Sequence, residues 1–373
     1  MANPDPIPFL DLRRWTVEDD YLIRTALDRV LQRGWFLQGI EVESFEREFA
    51  AYCGAEHCVA VDSGTVALTL LLRAAGIGDG DEVIVSGFTC MPTWLAIHAA
   101  GAIPVPVDVN LVTRNVEPSL VEEAITERTR AIVAVHLYGL PCDMRTLDEI
   151  AKRGSLWLFA DAAQSCGAHI NGSRSTVIGD GAAFSFYPTK NLACLGDGGA
   201  VVTADPELAG QVVLLRNYGM PTRDRCQLRG VNARMDELQA AVLRQRLPLL
   251  ETRNQRRRRI ASRYIQALSC GAHPDWLRPP DHPGHVWHVF SVLLPADMRD
   301  RAAVALREKG IQTALHYPMA PHQTEAFRTS ARRALPVCER IAAENVSLPL
   351  CPSMGDDEVD RVIEGFNTVI QDA

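Results

Sequence analysis

Two runs decide how this chain is read: Phe159-Ala160-Asp161-Ala162-Ala163-Gln164, and Phe184-Ser185-Phe186-Tyr187-Pro188-Thr189-Lys190-Asn191-Leu192. Each opens as a short apolar segment and ends on polar groups. The second is followed by the glycine-rich turn Gly196-Asp197-Gly198-Gly199. Apolar runs of this length, bounded by turn residues, read as buried strands. Working outward, Glu82–Ser86, Ile103–Val107, Ala131–His136, Leu156–Ala160, Ala182–Phe186 and Ala200–Thr203 read the same way. Amphipathic stretches such as Val66–Ala75 and Pro118–Thr126 lie between them. This alternation predicts an α/β architecture with a largely parallel sheet, whose strand ends gather ligands.

The pattern changes near Asn232. Met235–Leu268 reads as a long helix broken at Pro248. Trp287–Leu294 reads as a strand and Asp300–Lys309 as a helix, with Gly310 as its cap. The Pro- and His-rich stretch Gly271–His288 reads as loop. A smaller α+β domain with its own core is expected here.

At 373 residues the chain is long enough for a large domain and a smaller one. A net charge of −8 argues against non-specific nucleic-acid binding. No stretch approaches the roughly 18 apolar residues that span a bilayer, and no secretory leader is visible, so a cytoplasmic protein is expected. The ten cysteines contain no CxxC pair and read as buried thiols. Cys53, His57 and Cys58 cluster, but a fourth ligand at metal-site spacing is missing, so no metal is expected. The run Arg256-Arg257-Arg258-Arg259 reads as a solvated or inter-subunit helix face.

Taken singly, the polar residues have bland readings. A mid-chain lysine is usually solvated, a strand-end aspartate often caps a helix, and Ser63-Gly64-Thr65 ahead of Ala67–Arg73 makes an ordinary N-cap. Their joint order meets the demands of pyridoxal 5'-phosphate. Its aldehyde needs a primary amine, which Lys190 supplies. Its ring nitrogen needs a carboxylate to hold a proton, which Asp161 supplies. Gln164 is placed to donate to the ring's phenolic oxygen. The phosphate needs N–H groups at a helix start, which Ser63, Gly64 and Thr65 offer, with Ser185 as a further hydroxyl donor. Lys190 then serves as general acid and base.

The chain resembles the DegT/StrS family of fold-type I pyridoxal phosphate enzymes, the nucleotide-sugar aminotransferases. The likeness runs through Phe45-Glu46, Ser63-Gly64-Thr65-Val66-Ala67-Leu68, Gly80-Asp81-Glu82-Val83-Ile84, Val135-His136-Leu137-Tyr138-Gly139, Asp161-Ala162-Ala163-Gln164 and the Lys190 run. It continues in Leu215-Arg216-Asn217-Tyr218-Gly219, Gly230 to Glu237, and His316-Tyr317-Pro318. The resemblance implies a large domain of mostly parallel mixed sheet flanked by helices (31–245) and a smaller α+β C-terminal domain (246–373). Residues 1–30 would pack on the dimer or the small domain. It also implies a homodimer with shared active sites, Asn232 reaching the partner's phosphate, and L-glutamate as amino donor with a pyridoxamine phosphate stage.

The context of Tyr187 and Thr313 to Pro318 resembles the subgroup acting on dTDP-linked 3-keto-6-deoxysugars in deoxyaminosugar biosynthesis. A 4-keto sugar or a cyclitol is the alternative. Trp35, Phe36, Tyr187, His316 and Tyr317 are the substrate-contact candidates, though Tyr187 alternatively only packs beside the cofactor. Pyridoxamine-phosphate-dependent dehydratases carry His in place of the lysine, so Lys190 argues against that class. Intact cofactor residues argue against a non-catalytic sensor.

The chain departs from the family pattern at two places. Cys90 stands where the family stacks an aromatic on the cofactor ring, so Phe88, Trp94 or Cys90 itself takes that contact. Met220 to Leu228 does not follow the usual pattern. No arginine is assigned to the donor's carboxylate.

Overall fold

The computed structural model describes residues 5–170, 172–174, 178–268, 277–331 and 333–371. In chain order these form α1 (Leu12–Glu18), α2 (Asp20–Arg33), α3 (Ile40–Cys53), β1 (His57–Val61), α4 (Gly64–Ala74), β2 (Glu82–Ser86), α5 (Met91–Ala99) and β3 (Ile103–Val107). Next come α6 (Pro118–Glu123), β4 (Thr129–Val135), α7 (Met144–Gly154), β5 (Trp157–Asp161), the short hairpin β6 (His169–Ile170) and β7 (Ser173–Arg174), β8 (Gly181–Ser185) and β9 (Gly199–Thr203). The remainder is α8 (Pro206–Leu215), α9 (Glu237–Arg246), α10 (Leu250–Ala267), β10 (Phe290–Leu293), α11 (Ala296–Glu308), α12 (Pro336–Glu344), β11 (Asn345–Leu348) and α13 (Asp356–Gln371).

Seven strands form one sheet in the order β1-β9-β8-β5-β4-β2-β3. The β8, β5, β4, β2 and β3 neighbours are parallel, whereas β9 runs antiparallel to both β8 and β1. Side chains alternate between two cores, as strand geometry requires. Val83 and Val85 of β2 join Ala131 and Val133 of β4 on one face, beneath Leu68 of α4 and Trp94 of α5. Ile84, Ile132 and Ala134 face the other way, onto Phe45 of α3, Leu147 of α7 and Leu243 of α9. Burial on both faces is why these strands read as unbroken apolar runs.

The long helix breaks at Pro248, where Leu247–Leu249 forms a single 3-10 turn between α9 and α10. The antiparallel pair β10–β11 packs with α10, α11 and α13 around Phe290, Val346, Tyr264 and Phe366. Ile7 joins this third core, its N–H donating to the Gly310 carbonyl and its own carbonyl accepting from Gln312. Gly310, at φ 76°, closes α11 as expected.

Three expectations need correction. The strand starts at Phe290, not Trp287, because the preceding backbone is committed elsewhere: Val286 N–H donates to the Gly139 carbonyl and His288 N–H to that of Tyr138. Of the loop expected at Gly271–His288, positions 271–276 lie outside the described residues. The four-arginine run is not a uniformly solvated face, since Arg257 is only 1% exposed. Cys226 is exposed, against the expectation of buried thiols. Among the described residues no helix is long and apolar enough to cross a membrane.

A buried ionic hub holds the N-terminal helices to this frame. Asp19, between α1 and α2, accepts from Arg246 Nε at 3.0 Å and from Arg253 Nη2 at 2.5 Å. The two arginines sit on either side of the Pro248 break, and all three residues are buried. The indole of Trp15 lies under both guanidinium groups. Removing one member of such a cluster leaves buried charge without compensation. Asp19→Ala is expected to cost about 3–5 kcal/mol. A shift of the urea midpoint at unchanged slope measures it.

Candidate functional site

Three chain segments converge at the β1–β9–β8 side of the sheet. Ser63 caps α4, its hydroxyl accepting from Val66 N–H at 3.3 Å. The Gly64 and Thr65 amides lie in the first turn, ahead of any intrahelical partner. The helix start is pressed against two strands. A Cβ on Gly64 would lie 2.5 Å from Ser185 Cβ, and a Cβ on Gly199 would lie 2.4 Å from the Ser63 carbonyl. Only glycine lets the three backbones meet.

Beside this junction is a cavity of about 290 Å³. Ser63, Gly64, Thr65, Cys90, Asp161, Gln164, Ser185, Tyr187 and Lys190 all line it. Asp161 closes β5 at its carboxyl end, where ligands of such sheets gather. Lys190 lies on the loop from β8 to β9, its N–H closing a turn onto the Tyr187 carbonyl at 2.8 Å.

The electrostatics follow from burial. Asp161 accepts from Thr93 Oγ1 at 2.8 Å and from Ala163 N–H at 3.1 Å, yet among the described residues no cation pairs with it within 4 Å. Burial pushes its carboxyl upward, against these two donors and Lys190. Burial also lowers the Lys190 amine, opposed by Cys90 and Asp161, which moves it toward the neutral, nucleophilic form. Burial raises the Cys90 thiol.

Pyridoxal phosphate fits this set. A cradle that a Cβ would fill offers free amides for a phosphate, and a part-buried carboxylate lacks a cation that a protonated ring nitrogen would supply. A desolvated amine shares their cavity.

Not every predicted residue lines the cavity. Phe88, expected as a cofactor contact, is fully buried in the core, its ring 6.2 Å from that of Tyr317. Trp94 is also internal, its indole N–H donating to the Ser86 carbonyl at 3.0 Å. Of the three candidates for the stacking position, Cys90 alone reaches the wall. Gln164 is bound at both ends: its carbonyl accepts from Tyr138 N–H at 2.6 Å and its amide donates to the Tyr317 hydroxyl at 2.8 Å. One amide hydrogen remains for a ligand.

His316 borders a second cavity and hydrogen-bonds Ser347 Oγ at 2.9 Å. Trp35 and Phe36 stand at the surface, 63% and 49% exposed, away from this wall. Asn232 is exposed too, held by Arg234 Nε at 3.0 Å.

Sequence reasoning missed Thr93, the hydroxyl that orients Asp161, and Thr89, which bonds Thr93 at 3.1 Å. Thr89 precedes α5 and Thr93 lies in its first turn, and two threonines flanking the helix start were the available signal. It also missed Asp197, which lines the cavity from the glycine-rich turn.

Comparison with known proteins agrees with this geometry. A profile of the DegT/DnrJ/EryC1/StrS aminotransferase family matches residues 18–367. The chain is 47% identical to a dTDP-3-amino-3,6-dideoxy-alpha-D-galactopyranose transaminase of Aneurinibacillus thermoaerophilus, over 97% of this chain and 99% of the relative. It is 46% identical to a dTDP-3-amino-3,4,6-trideoxy-alpha-D-glucose transaminase of Streptomyces venezuelae, over 97% and 96%. The crystal structure of S. venezuelae DesV in complex with a ketimine intermediate superposes with a TM-score of 0.94 at 45% identity, covering 98% of each chain.

The glycine junction makes a direct prediction. Gly64→Ala forces a Cβ into Ser185, so overpacking of about 1–3 kcal/mol is expected. The variant should lose pyridoxal phosphate on dialysis at concentrations where the unmodified protein retains it, read by absorbance.

Proposed function

The chain belongs to the DegT/DnrJ/EryC1/StrS aminotransferase family, and from that premise we propose that it aminates the 3-keto carbon of a dTDP-linked 6-deoxyhexose. It is a pyridoxal-phosphate-dependent aminotransferase. When bound, the cofactor supplies the carbonyl that carries the amino group and a ring that accepts an electron pair. The observation that carries the reading is the meeting of Lys190, Asp161 and the Ser63-Gly64-Thr65 cradle in one cavity.

Each residue has work suited to its surroundings. The Gly64 and Thr65 amides, with the Ser63 and Ser185 hydroxyls, bind the phosphate. Asp161, oriented by Thr93, holds the ring-nitrogen proton. Gln164 donates its remaining N–H to the ring oxygen and fixes Tyr317 with the other. Lys190 anchors the cofactor through Nζ and moves protons there once displaced. Cys90, on the cavity wall, would meet the ring in place of an aromatic. Tyr187, on the cavity wall, and the His316–Tyr317 pair behind Gln164 contact the sugar.

L-Glutamate is the proposed amino donor. The choice of a 3-keto sugar follows the substrates named for the relatives and the sequence context of Tyr187. A cytoplasmic setting suits a nucleotide-sugar substrate.

A homodimer with shared sites completes the proposal. Trp35, Phe36 and Ile40 expose apolar side chains close together in sequence, and Leu195 and Tyr187 do so beside the lysine loop. Exposed apolar groups in such number mark an interaction surface, and a second copy is the partner that also brings Asn232 to the phosphate. Trp35 and Phe36 then reach substrate from that interface.

Complementation tests the lysine and the sharing together. Lys190→Ala and Asn232→Ala homodimers should each be severely impaired, the first to background. Mixing them after reversible unfolding should restore about a quarter of unmodified turnover, since half the dimers would carry one intact site. Absence of recovery by co-refolded mixtures would contradict shared sites, and full turnover by Lys190→Ala would contradict the reaction.

A further inference from the structure

Gln164, on the wall of the lysine cavity, is one corner of a closed hydrogen-bonded ring. Its carbonyl accepts from Tyr138 N–H at 2.6 Å, and its amide donates to the Tyr317 hydroxyl at 2.8 Å. The Tyr138 hydroxyl returns to the carbonyl of His316, the residue before Tyr317. The ring therefore ties residues 138 and 164, beside the sheet, to residues 316 and 317 of the C-terminal part of the chain.

Asn345 holds this ring from outside. It is 0% exposed and stands where α12 hands over to β11. Its Oδ1 accepts from His316 N–H and its Nδ2 donates to the Tyr317 carbonyl, each at 2.9 Å. One amide thus grips both ends of the two-residue segment that carries the Tyr317 phenol. Nδ2 also reaches the carbonyls of Ile341 at 2.8 Å and Ala342 at 3.2 Å. Those bonds close the last turn of α12, a structural duty any helix end presents. The bonds to His316 and Tyr317 cross 29 and 28 residues, and a helix end has no need of them. Two residues along β11, on the same face, Ser347 Oγ meets His316 Nδ1 at 2.9 Å, and the Ser347 backbone pairs with Ala314. The segment approaching Tyr317 is therefore laid down on β11.

We propose that Asn345 is a positioning residue of the active site: its amide fixes where the Tyr317 hydroxyl stands, and that hydroxyl engages one Gln164 hydrogen and so aims the other at the cofactor's ring oxygen. The proposal rests on the aminotransferase reading, in which Gln164 faces that oxygen. The rigidity comes from the planar amide of Gln164. Once one N–H is committed to Tyr317, the direction of the second is set. Held at its carbonyl alone, the amide would turn about a terminal torsion that is intrinsically broad. Asn345 itself does not line the cavity.

The test reads the absorbance of the bound cofactor against pH in the loaded enzyme, separately from turnover. A donor to the ring oxygen favours its anionic form, so a weakened donor moves the midpoint of that titration upward. Asn345→Leu, close to asparagine in shape, removes both grips. It should raise the midpoint by about half a pH unit, the order expected for one weakened hydrogen bond. Asn345→Thr separates the two duties. Its hydroxyl can still donate to the Ile341 carbonyl four residues back, but is too short to hold His316 and Tyr317. It should raise the midpoint similarly, and it gives the reading if the leucine variant does not fold. Tyr317→Phe should produce the same shift, and adding Asn345→Thr to it should move the midpoint no further, because both act through one hydroxyl.

An unmoved midpoint in Asn345→Thr would make Asn345 a helix cap and nothing more, and would overturn the proposal. Additive shifts in the double variant would overturn it too, since they would place the effect of Asn345 on another route. Failure of the aminotransferase reading looks different: no amino acid would convert the bound cofactor to its amine form, whatever residue stands at 345.

Discussion

The close approach of three backbones at Gly64, Ser185 and Gly199 is the constraint on which the site depends. A side chain at either glycine would collide with a neighbouring strand or turn. Because none is present, the first turn of α4 lies against the ends of β8 and β9, and its amides reach the same cavity as Lys190. The antiparallel turn from β8 to β9 serves this geometry. It folds the lysine loop back beside β1, while the parallel side of the sheet delivers Asp161 at a strand end.

Desolvation then sets the chemistry. The same burial disfavours charge on Lys190 and on Asp161, in opposite pKa directions. The amine becomes a better nucleophile, and the carboxylate becomes a site that favours a cationic partner. Thr93 and the Ala163 amide keep that carboxylate oriented. Further out, the Gln164 amide donates to the Tyr317 hydroxyl and so ties the cavity wall to the C-terminal part of the chain.

Much of this was legible in the sequence because it is local. Strands buried on both faces leave unbroken apolar runs, and Lys190, Asp161 and Ser63-Gly64-Thr65 each stand at the end of one element or the start of another. What was not legible depends on distant partners. Nothing near Phe88 distinguishes an aromatic that stacks on a ligand from one that fills a core. The late start of β10 reflects bonds from residues 286–288 to Tyr138 and Gly139, far away in the chain. Arg257 is an intermediate case. A run of four arginines suggests solvent, yet Leu250, Arg253, Asn254, Arg257, Ile260, Ala261 and Tyr264 form one buried helical stripe, so the spacing marked Arg257 as internal.

Regiochemistry is the point at which the account is most directly exposed. The enzyme is first converted to its amine-bearing cofactor form with L-glutamate and freed of excess donor. Equal amounts of dTDP-3-keto-6-deoxyglucose or its 4-keto isomer are then added, and the return of the aldehyde-form absorbance is followed over a single turnover. Rapid recovery is expected with the 3-keto sugar and little with the 4-keto sugar. Recovery with the 4-keto sugar alone, or with neither, would contradict it.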